Sequence, residues 1–474
     1  MDPVRYLSDI DIEQNKPVHA VWELTLACNL KCCHCGSRAG RKRRGELSTH
    51  EAIQLVGQLA ELGVREVTLI GGEAYLRKDW SRIISAIVTS GMMCSLQTGA
   101  RNMTDARIAE AASAGLGSAG VSIDGLRALH DKLRGVEGLF DTALETLQRF
   151  RGHGIATSVT TQITQPAIAQ LDELSDLLIS AKVKNWQVQL TAPMGRAADN
   201  SHLILQPWHL LDLMPLLAKL YRKGAQSGLL LQPGNNIGYF GPYEGLLRGS
   251  GAEAVHYQGC FAGRNVIGIE ADGTIKGCPS LATDAFAGGN VRDVPLQDIW
   301  RQTPQLSFAR RLTRADLWGF CATCYYADVC KGGCTWMSHS VLGRAGNNPF
   351  CHHRALELAK DNRRESIVKV APAPGRPFDR AQFEIVMETS DGQSIDAREP
   401  AIAPGSARAI SATRSPEPRL ALCRGCNRHV LADAETCPFC NGPIAALAER
   451  FEQKFEAAMR AKIRLQRAIQ HLNS

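Results

Sequence analysis

The sequence contains no run of eighteen or more apolar residues, so nothing in it has the make-up of a membrane-spanning helix. Its first sixteen residues are polar and acidic, without the basic start and apolar middle of a secretion signal. No internal repeat divides the chain. Neither sign of charge dominates: 54 Lys and Arg stand against 47 Asp and Glu, a formal net charge of +7 spread along 474 residues. That balance offers no strong polyanion-binding face, and nucleic acid is not expected as a partner. The one dense basic run, Arg41-Lys42-Arg43-Arg44, reads as a solvated loop before it reads as an anion patch. Together these absences predict a cytoplasmic protein without membrane contact. One residue type is abundant: there are sixteen cysteines. In a reduced compartment clustered thiols are metal ligands sooner than disulfides. Fourteen fall into three spaced groups, and Cys33 and Cys94 are left over as small buried hydrophobes.

From His19 to Pro193 short β-prone runs alternate with amphipathic helical stretches. The strand candidates are Ala20–Leu26, Glu66–Ile70, Cys94–Thr98, Ser118–Ile123, Thr157–Thr161 and Trp186–Leu190. Six strands alternating with helices predict an α/β fold with a parallel sheet, its functional loops at the C-terminal strand ends. A helix is expected over Trp208–Ala225, then a Gly- and aromatic-rich loop, Gln232–Glu244, whose Tyr239, Tyr243 and Glu244 read mainly as packing residues. Between Cys260 and Cys351 long helical patterns vanish, as in a small metal-organised domain.

The first cysteine group, Cys28, Cys32 and Cys35, follows the first strand with the spacing C-x3-C-x2-C. Three thiolates hold three irons of a [4Fe–4S] cube and leave the fourth open, whereas structural zinc wants four protein ligands. Cys28-Asn-Leu-Lys-Cys32-Cys33-His34-Cys35 resembles the signature of the radical S-adenosylmethionine (SAM) superfamily. The resemblance implies a partial (β/α)6 barrel, with the unique iron binding the amino and carboxylate groups of SAM. His34 stands where the family places an aromatic residue near the adenine. Gly71-Gly72-Glu73, at the end of the second strand, matches the family segment that holds the methionine amino group, with Ala74 in place of the usual proline. Ser122 and Asp124, at the end of the fourth, stand at the family's ribose contacts.

The second group runs Cys260, Cys278, Cys321, Cys324, Cys330, Cys334 and Cys351. It resembles the SPASM domain, an extension of radical SAM enzymes that carries two auxiliary [4Fe–4S] clusters. The resemblance assigns Cys321, Cys324, Cys330 and Cys351 to one cluster and Cys260, Cys278 and Cys334 to the other. The second set then has either an open iron or a non-cysteine fourth ligand. Segments at His130-Asp131, Arg134-Gly135 and Pro193-x-Gly195-Arg196 also resemble pieces of such proteins.

The third group, Cys423-x2-Cys426 and Cys437-x2-Cys440, has the paired knuckles of a tetrahedral site and resembles a zinc ribbon, with a single iron as the alternative. The expected domains are a radical SAM barrel over 18–230, a linker and auxiliary-cluster domain over 231–365, a linker with a hairpin over 371–418, and the zinc-ribbon-like knuckle with a helix over 419–474. Glu399–Pro418 is expected to be poorly ordered. In the last helix Leu447, Phe451, Phe455, Met459 and Ile463 recur every fourth residue, and core packing is the expected cover for that stripe.

What the resemblance implies is an oxidoreductase that makes a 5′-deoxyadenosyl radical and oxidatively modifies a ribosomally made peptide. Three [4Fe–4S] clusters, SAM and Zn2+ would be its cofactors. A precursor peptide or protein and an electron donor such as flavodoxin or ferredoxin would be its partners. The alternatives are a protein maturase of the anaerobic sulfatase type, a small-molecule cofactor-biosynthesis enzyme, and an iron–sulfur electron carrier or scaffold. Only about twenty residues precede the first strand, so the reading of any leader is expected to fall to the tail or to a separate protein. No His/Asp/Glu pair stands out as a general base.

Overall fold

The computed structural model describes residues 5–249, 255–398 and 418–472, with side chains not described at 396–398 and 463–472. Seven parallel strands run in sequence order: β1 (His19–Thr25), β2 (Glu66–Gly71), β3 (Met93–Thr98), β4 (Ser118–Ser122), β5 (Ala156–Ile163), β6 (Asn185–Leu190) and β7 (Leu230–Pro233). Helices Thr49–Glu61, Trp80–Thr89, Asp105–Ser113, Leu139–Gly152, Leu171–Ser180 and Leu210–Ser227 lie between them. Their starts follow local chemistry: Ser48 and Thr104 each accept a backbone N–H three residues on.

Alternation divides the strands into two faces. Trp22, Leu69, Leu96, Val121, Val159, Trp186 and Val188 are buried with helix residues such as Leu55, Ile83, Leu147, Leu174 and Leu213. Burying each such side chain contributes about 1.5–3 kcal/mol, and this layer holds the helices to the sheet. The other face, lining the barrel, is largely polar.

The sheet does not stop at six strands. Beyond the expected set, β7 adds to β6, and β8 (Val266–Ile269) pairs in parallel with β1, His19 against Val266. β9 (Thr274–Lys276) and β10 (Gly289–Asn290) continue it to ten strands. The first part of the cysteine-rich segment is therefore an extension of the barrel's own sheet. Residues 352–360 form a helix that ends earlier than its pattern suggests. The charged run that follows becomes β11 (Arg363–Ala371), antiparallel to β12 (Gln382–Thr389), which pairs with β13 (Ser394–Arg398). The side chain of Gln206 bonds both the N–H and the carbonyl of Ile367, tying β11 to the barrel. The expectation for 399–417 lies outside the described residues.

Past 418, β14 (Leu420–Leu422) and β15 (His429–Leu431) form the four-cysteine knuckle, and one helix, Ile444–Leu472, follows. Its apolar stripe is not core. Leu447 packs on the knuckle, but Phe451, Phe455 and Met459 are 39%, 58% and 42% exposed. Amphipathic spacing identified the helix; it carried no information on a neighbour.

Candidate functional site

The loop from Ala27 to Gly40 leaves β1 at a register shift and returns to it: Cys28 N–H donates to the Gly40 carbonyl, and Gly40 N–H to that of Leu26. Two segments brace it. From one side, Cys33 N–H donates to the Leu133 carbonyl. From the other, Arg196 donates to the carbonyls of Cys32 (2.7 Å) and Ala39 (3.0 Å), and Asn200 to that of Cys33 (3.0 Å). Gly195 has φ of +57°, and a Cβ there would press into the carbonyls of Cys35 and Gly36. The loop thus brings Cys28, Cys32 and Cys35 into one electrostatic neighbourhood. Burial pushes the Cys28 thiol up to about 12 and the Cys32 thiol up to about 11. Buried thiols of this kind ionise when a metal supplies the compensating charge, so the donor set fits an iron–sulfur cluster.

Gly71 and Gly72 end β2 hard against the same loop; a Cβ on either would strike the carbonyl of Thr25 or Ala27. That contact seats Glu73 beneath the cysteines. Its buried carboxylate accepts from Thr98 Oγ1 at 2.5 Å and from Gly99 N–H at 2.6 Å. Burial nonetheless pushes its pKa up to about 7. A carboxylate so placed suits an incoming ammonium group, which would return it to the charged form. Glu73→Gln is expected to weaken SAM binding 10- to 100-fold, the loss of one charge-assisted bond of about 1.5–3 kcal/mol, measured by equilibrium dialysis on cluster-loaded protein.

The surroundings of Asp124 differ from the expectation. Its carboxylate is fully buried and bonded within the protein: Arg134 Nη2 at 2.6 Å and Nε at 2.7 Å, His34 Nε2 at 3.1 Å, and Gln162 N–H at 3.0 Å. Burial would raise its pKa, but the charge of Arg134 and the His34 ring hold it well below the usual carboxylate range. His34 is buried in this cluster as well. Ser122 is half-buried on the inner face of β4. Arg134 is the residue that sequence reading noticed only as part of a segment. It lies at the end of an unanticipated helix, Arg127–Arg134, and its Nη1 is 3.8 Å from Cys32 Sγ.

The seven cysteines of the second group separate into two sets. Cys260, Cys278 and Cys334 are electrostatic neighbours, with the Cys334 N–H donating to Tyr239 Oη at 3.2 Å. Cys321, Cys324, Cys330 and Cys351 line one small cavity with Phe240, Tyr326 and His353. Tyr239 and Glu244 are buried packing residues; Glu244 accepts from the N–H groups of Phe240 and Tyr257.

In the knuckle the sulfurs of Cys423 and Cys440 are 3.8 Å apart and those of Cys426 and Cys437 3.7 Å, all four within 4.8 Å. A tetrahedron with metal–sulfur bonds of about 2.3 Å has edges of about 3.8 Å. The knuckle is seated on the four-cysteine cavity. Phe439 stacks on Tyr326 with centroids 5.8 Å apart, Tyr326 Oη donates to the His429 carbonyl at 2.6 Å, and Arg428 bonds His353 and, at 2.9 Å, Glu357.

The family model of the radical SAM superfamily matches residues 22–166, and that of the SPASM iron–sulfur cluster-binding domain matches 260–325. The mycofactocin maturase MftC of Mycobacterium tuberculosis is 30% identical over 336 residues, covering 70% of this chain and 81% of that protein. The AdoMet-dependent heme synthase of Nitratidesulfovibrio vulgaris is 26% identical over 360 residues, covering 71% and 92%. In fold, the chain is similar to Streptococcus suis SuiB in its crystal structure with the precursor peptide SuiA, with a TM-score of 0.56 and 19% identity over 69% of this chain and 74% of that one.

Proposed function

Because the chain belongs to the radical SAM superfamily, in its SPASM branch, we propose that it is a maturase that oxidatively modifies a ribosomally made peptide. The observation that supports this reading best is the meeting of Cys28, Cys32, Cys35, Glu73 and Arg134 at the C-terminal edge of one parallel sheet. The cluster and SAM, when bound, supply a carbon-centred radical by reductive opening of the sulfonium. The protein's own residues do the rest. Cys28, Cys32 and Cys35 would hold the cluster, Glu73 the methionine ammonium, and Ser122 the ribose. Asp124 and His34 keep Arg134 beside the cluster loop. The walls of the barrel keep water from the reacting carbon and hold the target C–H close to it.

Cys321, Cys324, Cys330 and Cys351 would hold one auxiliary cluster, Cys260, Cys278 and Cys334 a second, and Cys423, Cys426, Cys437 and Cys440 a zinc ion. The thiols require a reducing compartment, which the cytoplasm provides, and a flavodoxin- or ferredoxin-like protein would deliver the electron. Anaerobically reconstituted protein is expected to contain about twelve irons and one zinc per chain, and Cys437→Ser to lose the zinc while keeping most of the iron, by elemental analysis.

The maturase reading is tested by supplying reduced, loaded protein with SAM and a precursor peptide. It expects 5′-deoxyadenosine in amounts matching a mass loss in the peptide. No 5′-deoxyadenosine from fully loaded protein would favour an electron carrier or scaffold.

A further inference from the structure

The inner face of the barrel carries a feature that neither the cofactor site nor the family motifs use. Register puts His19, Val21 and Glu23 of β1, Glu66, Thr68 and Ile70 of β2, and Ser95 and Gln97 of β3 on that face. Gly120 and Ser122 of β4, Thr160 and Gln162 of β5, Gln187 and Gln189 of β6, and Gln232 of β7 complete it. Opposite them on the same strands, Val159, Trp186, Val188, Leu190 and Leu231 are buried beneath the helices. The two registers Thr160–Gln187–Gln232 and Gln162–Gln189 stack the glutamines on adjacent strands, roughly 4.8 Å apart across the sheet and 7 Å along it.

Two properties make this surface chemically specific. Gln97 folds over Gly120, and its amide oxygen accepts from Thr160 Oγ1 at 3.3 Å. The amides of Gln162, Gln187, Gln189 and Gln232 make no side-chain hydrogen bond to any described residue. Gln187 and Gln232 are exposed, the other two half-buried. The inward positions of β1–β7 contain no Lys or Arg. Their carboxylates, Glu23 and Glu66, are already paired with Arg43 and Arg5. Three arginines at the mouth are committed too: Arg38 to Asp199 and Asp379, Arg134 to Asp124, and Arg196 to backbone carbonyls.

We propose that Gln187, Gln189 and Gln232 form an amide ladder that reads the backbone of an uncharged, extended peptide segment carrying the target C–H. This rests on the maturase reading and names the substrate class within it. Each side-chain amide offers two donors and an acceptor, the complement of a backbone that presents N–H and C=O in turn. An extended chain repeats these groups about every 7 Å on one side, the spacing of the ladder along a strand. A substrate rich in carboxylates, such as a tetrapyrrole with propionate arms, would want free guanidinium forks, and the inward positions of β1–β7 offer none.

The test compares wild type with Gln189→Leu/Gln232→Leu, and with Gln189→Asn/Gln232→Asn, which keeps the amide. SAM binding by each variant reports an intact fold. The probes are a pool of end-capped, uncharged decapeptides and, separately, coproporphyrin III; the signal is the rise in 5′-deoxyadenosine release when the probe is added. The peptide pool is expected to stimulate wild type, the leucine variant to need at least tenfold more peptide, and the asparagine variant to recover part of the response. Stimulation by coproporphyrin alone, by neither probe, or equally in wild type and the leucine variant overturns the ladder. Failure of the underlying reading looks different: reduced, loaded wild type then makes no 5′-deoxyadenosine at all.

Discussion

Arg134→Leu is expected to destabilise the barrel by about 3–5 kcal/mol, the usual cost of removing one partner from a buried ion pair. The residue and its partner Asp124 are both buried, and two guanidinium nitrogens reach the same carboxylate oxygen at 2.6 and 2.7 Å. Without the guanidinium, Asp124 stays in a dry site with the His34 and His130 rings and the Gln162 N–H beside it. The sign of the pH dependence follows. In wild type the folded-state pKa of Asp124 lies below its unfolded value, so its contribution is complete above about pH 4 and fades only in stronger acid. In the variant, burial is opposed mainly by the His34 and His130 rings, the folded pKa rises above the unfolded one, and stability falls as pH climbs from about 4 through that raised value. Anaerobic thermal melts between pH 4 and 8 should therefore be flat with respect to this group for wild type and descend with pH for Arg134→Leu. Asp124→Asn/Arg134→Leu, which leaves no buried charge, should recover much of the loss. A second readout separates structure from chemistry. The guanidinium 3.8 Å from Cys32 Sγ favours the more negative, reduced state of a cluster bound there. Its removal should lower the midpoint potential in a redox titration followed by electron paramagnetic resonance.

Neither half of that pair can be recognised as a pair in the sequence, and this marks where reading by residue pattern ends. The cysteine groups are legible because ligand chemistry demands one residue type at short, fixed spacings, and Gly71-Gly72-Glu73 because a close backbone approach demands glycine. The six barrel strands with their helices are legible because burial on one face imposes its period. Arg134 and Asp124 meet only because a helix turns the chain back over the strand end, and an Arg ten residues past an Asp has no distinguishing pattern. The glutamines are hidden for a related reason. One Gln in a strand is chemically plain, and only register across β5, β6 and β7 assembles four of them. β7 has four residues and ends on Pro233, and β11 opens on Arg-Arg-Glu, so both break strand rules and are made by their neighbours. The exposed stripe of the last helix is the opposite case, because a clear amphipathic period carries no information on what covers it.

Loss of the knuckle's metal should leave one auxiliary cluster open to attack by oxygen. Structural zinc contributes about 10–16 kcal/mol of apparent binding free energy, which in a unit this small is its folding free energy. Cys423 and Cys437 are completely buried among Val430, Phe439 and Leu447, and that small core has little else to hold it together. When it unfolds, Phe439 leaves Tyr326, Arg428 leaves His353 and Glu357, and the His429 carbonyl leaves the Tyr326 hydroxyl. Tyr326 and His353 are themselves walls of the cavity holding Cys321, Cys324, Cys330 and Cys351. The thiols of that set would then face water and oxygen, while Cys28, Cys32 and Cys35, braced by Arg196 and Asn200, would not. Cys437→Ser, given a timed exposure to air, is therefore expected to lose about four of its twelve irons several times faster than wild type, with the signal of the SAM-binding cluster retained. Equal rates of iron loss in the two proteins would make the knuckle a bystander to the cluster it rests on. Simultaneous loss of all iron would show that it supports the entire fold.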